Sequence, residues 1–172
     1  MEFVTTERLS GWNDVWSLAA VFGAVSVPWT YAFVAGGVPL WPAFIASATF
    51  FAVDRGGLAG LARGYASNAA GIVYAAATLA IVEGATGGLL ALSLVVGAFM
   101  FLASLHEAVP ALSFTPGAFF GYATMFSVEA AGATAFGVGG LPGETLAAVV
   151  SMLLGATIGL CADEASVALA GD

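Results

Sequence analysis

The chain has 172 residues, of which 60% are apolar and 8% charged, and its mean hydropathy is +1.00. A soluble domain keeps its surface wet with about a quarter charged residues, so three arginines, eleven acids and no lysine exclude an ordinary soluble globule and point to an integral membrane protein. The negative balance also excludes a nucleic-acid partner, whose phosphates need a basic face, and a polybasic lipid-binding role.

The first residues, MEFVTTERLSGW, are polar and carry no signal-peptide pattern, so the mature chain is expected to begin at or near Met1. Six apolar runs follow, at about 15–36, 38–54, 66–83, 88–106, 109–128 and 144–162. Each approaches the length a helix needs to cross some 30 Å of hydrocarbon. The breaks between them, GGVP, DRGGLAGLARG, EGATGG, HEAVP and VEAAGATAFGVGGLPGE, hold the glycine, proline and charge that punctuate helices. Long alternating strands are missing from the pattern, which argues against a β-barrel.

The second and fifth runs contain Pro42 and Pro116. After each proline only some 20 Å of apolar helix remains, so these two are either short or kinked spans, or re-entrant half-helices. Arginine position favours six spans: Arg8, Arg55 and Arg63 then share one side, which the positive-inside rule makes the cytoplasm, with both termini inside.

The fifth run repeats the second. With residues 75 apart aligned, Phe44, Ala48, Thr49, Phe51 and Val53 meet Phe119, Ala123, Thr124, Phe126 and Val128, and Asp54 meets Glu129. Upstream, VFGA (21–24) meets VVGA (95–98); downstream, SNAAG (67–71) meets SMLLG (151–155). Three matches in one order predict a duplicated unit of three helices, residues 1–83 and 84–172. An odd number of spans per unit inverts the second copy, the 3+3 arrangement that in transporters builds a midplane site from broken helices. The expected fold is an all-α membrane protein of six transmembrane helices, the second and fifth short or broken.

The matched residues are the candidate site. Phe44, Ala48 and Phe51 share one helical face, as do Phe119, Ala123 and Phe126. Two such faces would line a narrow apolar slot, with Thr49 and Thr124 offering hydroxyls to a small solute; the plainer reading is helix packing around a small residue. Asn68, in the polar pair Ser67–Asn68, is a further solute-binding candidate or else a bond between helices. Asp54, Glu129, His106 and Glu107 end their helices and are candidates for vestibule or gate, or simply mark the water boundary. Small residues four apart (Gly56/Gly60/Gly64, Gly71/Ala75, Gly117/Gly121, Gly155/Gly159) offer close helix contact within or between protomers. Cys161 reads as a small hydrophobe. No enzyme motif is present, one histidine and one cysteine make no conventional metal site, and no cofactor is implied.

The pattern WPAFIASATFF…GG…ASNAAGIVYA resembles that of the YcdZ-like group of small prokaryotic inner-membrane proteins, over most of residues 15–160 and best at 41–76. That resemblance implies a compact multi-span membrane protein. The group's pattern prefers glycine where this chain has Ala46, and the second half keeps Gly121.

Together these readings predict a channel or facilitator for a small neutral or weakly charged solute, since intramembrane charge, the mark of ion and proton paths, is scarce. The alternative is a non-transporting scaffold or accessory subunit of a larger membrane complex. The expected setting is the plasma membrane of a prokaryote, with a homo-oligomer in the bilayer. The acidic composition fits a halophile.

Overall fold

A computed structural model describes residues 12–53, 56–84 and 88–170. These residues form six α-helices, one short 3-10 turn and no strand. The helices are α1 (Trp12–Ala35), α2 (Trp41–Ala52), α3 (Gly57–Gly84), α4 (Gly88–Ser104), α5 (Thr115–Ala130) and α6 (Gly140–Ala170); the 3-10 turn is Leu105–Ala108. Helices α1, α3, α6 and the Gly88–Ala108 segment are long and apolar enough to cross a membrane.

Boundaries depart from the sequence reading where glycine and proline looked like breaks. Pro42 and Pro116 do not interrupt their helices. Each sits in the first turn, where proline's missing N–H costs nothing, and the residues upstream of each form turns instead. The helices are therefore short rather than broken: 12 and 16 residues, about 18 and 24 Å. Conversely, α3 starts at Gly57, nine residues before the expected 66, and α6 runs from Gly140 past the expected 162 to Ala170. In α3, Gly60 and Gly64 are buried, and a side chain at Gly64 would press on Thr49 of α2 and on Val53, which follows it. The glycines are there for packing and do not end the helix.

Two turns stop by the same device. After α1, Gly37 at φ +65° lets Val38 N–H reach the Phe33 carbonyl at 3.0 Å; after α5, Gly132 at φ +60° lets Ala133 N–H reach the Val128 carbonyl at 3.0 Å. Both are left-handed caps that return the chain sharply.

Packing exchanges the halves. Helix α2 packs chiefly on α6 and α5 chiefly on α3, while α1 lies on α6 and α4 on α3. The long helices α3 and α6 cross at the centre, where Ile72, Ala75, Met125, Ala147, Ala148 and Met152 are fully buried. Helices α1 and α4 lie outermost, exposing Val27, Tyr31 and Val34 on one and Leu89, Leu90, Leu94 and Phe101 on the other. An apolar face of this kind is what a bilayer covers.

Candidate functional site

The polar side chains of the bundle are the natural place to look, because a polar group away from water is costly unless bonded. Ser67 on α3 donates to the Leu112 carbonyl at 3.2 Å, and Ser151 on α6 donates to the Pro39 carbonyl. Those carbonyls belong to the turns that lead into the short helices. Ser47 on α2 donates to the Gly155 carbonyl at 2.6 Å. All three hydroxyls meet irregular or close-packed backbone, buried at Pro39 and Gly155 and partly buried at Leu112.

The Ser151 and Ser67 bonds also locate the short helices in depth. Ser151 lies 11 residues into α6 and Ser67 10 residues into α3, so each short helix begins about 15 Å along its long neighbour. The contacts of α2 on α6 advance together, from Pro39 with Ser151 to Ala43 with Gly155 and Phe50 with Gly159. Those of α5 on α3 do so too, from Leu112 with Ser67 to Ala118 with Gly71 and Tyr122 with Thr78. Both pairs are parallel. Thr49 with Asn68 and Val53 with Gly64 run the other way, so α2 and α3 are antiparallel.

Thr49, Asn68 and Thr124 are fully buried. The Thr49 hydroxyl lies 2.9 Å from its own Ile45 carbonyl and 3.3 Å from the Asn68 Oδ1. Asn68 Nδ2 and Thr124 Oγ1 find no partner among the described residues. A side chain at Gly121 of α5 would strike the Asn68 backbone, and one at Gly117 would strike Ser67 and press on the Asn68 Oδ1. The chain thus sets a carboxamide near the middle of α3, bonded by Thr49 of α2 and covered by α5 at Gly121, while Thr124 is buried one turn further along α5.

The aromatic faces lie elsewhere. Phe44, Ala48 and Phe51 point away from the interior and, with Val15, Leu18, Ala19 and Phe22 of α1, line an apolar groove of about 490 Å³. Ser47 also borders it, with its hydroxyl turned back to Gly155. Ring pairs Phe22–Phe51 and Trp29–Phe44, with centroids 5.4 and 4.7 Å apart, tie the two helices together. Phe119 and Ala123 are exposed on α5 and Phe126 is half-buried against Tyr122. The two faces do not form one slot with the threonines beside it: helical geometry turns Thr49 and Thr124 inward, toward the long helices, and the phenylalanines outward.

The helix-end candidates also separate. Asp54 lies outside the described residues. Glu129 is exposed in the last turn of α5, and Glu107 is exposed with its carboxylate 3.4 Å from the Thr115 hydroxyl, which donates to it. His106 is buried rather than set at a mouth, its Nε2 2.9 Å from the Tyr74 hydroxyl and its ring against Tyr74. Sequence reading missed Tyr74 because nothing in spacing ties it to a histidine 32 residues away. It also missed Tyr122, whose hydroxyl meets Thr78 at 2.8 Å; an apolar run disguises a tyrosine as one more aromatic. Cys161 is exposed. Among the described residues no group of His, Cys, Asp or Glu is arranged to hold a metal ion.

The all-helical build, with several long apolar helices around an apolar core, is that of a membrane protein. More specifically, the chain belongs to the family described as a protein of unknown function (DUF1097), whose pattern matches residues 18–166. No curated protein and no solved structure matches significantly.

Proposed function

We propose that the chain is a six-span membrane protein whose halves, 1–83 and 84–172, are inverted copies of one three-helix unit, and that it acts as a channel or facilitator for a small neutral or weakly charged solute. Matched residues making matched contacts support the duplication. Ser67 and Ser151, the first residues of SNAAG and SMLLG, each bond a carbonyl of the turn before a short helix. Gly71 and Gly155, their last residues, each admit a backbone carbonyl, of Ala118 and Ala43, which stand 75 apart. Helix α2 runs antiparallel both to α1, through Trp29–Phe44 and Phe22–Phe51, and to α3, which supports a full crossing, since a re-entrant helix would run parallel to one of the two. Within the family, the pattern at 41–76 favours the YcdZ-like group, in the plasma membrane of a prokaryote, with both termini cytoplasmic.

One observation carries the functional reading: two short helices, related by the repeat, start about a third of the way along α3 and α6 and not at their ends, a build like that from which transporters make midplane sites. No enzymatic activity is proposed. The test is stopped-flow light scattering on proteoliposomes with water, glycerol, urea, acetamide and formate. Faster permeation of one solute than in empty vesicles is expected; permeation equal to empty vesicles across the panel, with folded protein, overturns the reading.

A scaffold or accessory subunit is the second reading. It is favoured by the closed interior, in which Thr49, Asn68 and Thr124 are all sealed, and by the bare apolar faces of α1 and α4. Mild-detergent purification separates the two, since a scaffold brings a stoichiometric partner with it.

A further inference from the structure

The strongest helix pairs cut across the repeat: α2 with α6 and α5 with α3. With the outer helices added these make two bodies, α1–α2–α6 and α3–α4–α5, that share one core where α3 meets α6. Within each body the short helix is locked to the long one by glycine. Side chains at Gly155, Gly71 and Gly121 would strike backbone across the α2–α6 and α3–α5 contacts, one at Gly117 would strike Ser67, and one at Gly159 would press on the Phe50 ring. Backbone in such contact slides only by losing it. Between the bodies the bonds are made by side chains: Trp41 Nε1 to the Ser127 hydroxyl at 3.1 Å, the Tyr65 hydroxyl to the Val149 carbonyl at 3.2 Å, and Thr49 with Asn68.

Asn68 stands on that boundary and is under-bonded. Thr49 has a single hydroxyl proton, and the nearer Ile45 carbonyl competes for it. Its Oδ1 meets Thr49, and its Nδ2 has no partner among the described residues. A carboxamide can make about four hydrogen bonds, and buried polar groups without partners are rare. Thr124, whose hydroxyl is also unpartnered, lies three residues beyond Gly121, hence on the adjoining part of the same helical face. The repeat is asymmetric here: SNAAG has Asn68 where SMLLG has Met152. Duplication alone therefore does not account for the amide.

We propose that Asn68 is the solute-binding residue of this chain, holding at the boundary of the two bodies a small uncharged molecule that both donates and accepts hydrogen bonds. This rests on the facilitator reading and gives its site and substrate class. A carboxamide offers both kinds of partner and no charge, so it favours neutral solutes such as amides over ions.

The test uses the full chain in proteoliposomes, comparing urea, acetamide, glycerol and formate. Asn68→Leu keeps roughly the volume and removes the polar atoms; Ser93→Ala, on the exposed face of α4, is the control. Asn68→Leu is expected to slow the neutral solute that wild type passes best by about tenfold, the worth of one buried hydrogen bond, while its melting temperature stays level or rises. A folded Asn68→Leu protein that permeates like wild type overturns this proposal and leaves the facilitator reading standing. A fall in melting temperature with permeation per folded protein unchanged also overturns it, since Asn68 is then structural glue. Preferred passage of formate over every neutral solute overturns the substrate class. Wild type that passes nothing overturns the facilitator reading itself.

Discussion

Among the described residues the glycines differ in what a methyl group there would meet. At Gly71, Gly121 and Gly155 the methyl would fall on the carbonyls of Ala118, Asn68 and Ala43, whereas at Gly23 and Gly97 it would meet nothing. Gly71→Ala, Gly121→Ala and Gly155→Ala are each expected to destabilise the fold by about 1–3 kcal/mol or more, because backbone cannot move aside. Gly23→Ala and Gly97→Ala are expected to be neutral or to stabilise by up to about 1 kcal/mol through helix propensity. Thermal unfolding in detergent separates the two sets. The matched threonines make a second contrast. Thr124→Val removes a buried hydroxyl that has no partner among the described residues and is expected to raise stability, by up to about 1 kcal/mol. Thr49→Val removes bonds to Ile45 and Asn68 and is expected to lower it by about 1 kcal/mol. Equal effects from the two would contradict the bonding described here.

Among the helices, the short ones pose the main physical problem. At about 18 and 24 Å, α2 and α5 fall short of a ~30 Å hydrocarbon layer, so the turns that lead into them are drawn inward. Irregular backbone at such depth survives only where protein satisfies it, and Ser67 and Ser151 do so from the long helices. Ser151→Ala and Ser67→Ala are each expected to cost about 1–3 kcal/mol, the cost of leaving a buried carbonyl unmet. The same unfolding measurement would show it, and a change within error at both sites would mean that the turns reach water.

The whole molecule is organised as two interlocked bodies, each combining helices from both halves of the chain. If the helices alternate through the membrane, the turn before α5 and the turn after α5 face opposite sides. Single cysteines at Glu107, ahead of the turn, and at Ala131, both exposed, placed in a Cys161→Ala background, are expected to react with an impermeant thiol reagent from opposite sides of the membrane. Labelling of both from one side would make α5 re-entrant. The apolar groove between α1 and α2 belongs to this scale as well, since it exists only because the two helices touch through aromatic pairs instead of close backbone.

Composition by itself determined that this is a helical membrane protein, because so few charges leave no way to wet a globule's surface. Apolar runs determined six helices. Ends were less legible. Gly56–Gly64 and LPGE look like breaks, and only neighbours decide whether a glycine stops a helix or lets another helix approach. Facing was not legible at all in helices apolar on every side, where periodicity carries no signal. That Thr49 points inward while Phe44 points out, that His106 finds Tyr74, and that Asn68 lies between α2 and α5 are decisions of the tertiary structure. They depend on contacts between residues far apart in sequence, and no local pattern encodes which partner a buried polar atom will meet or lack.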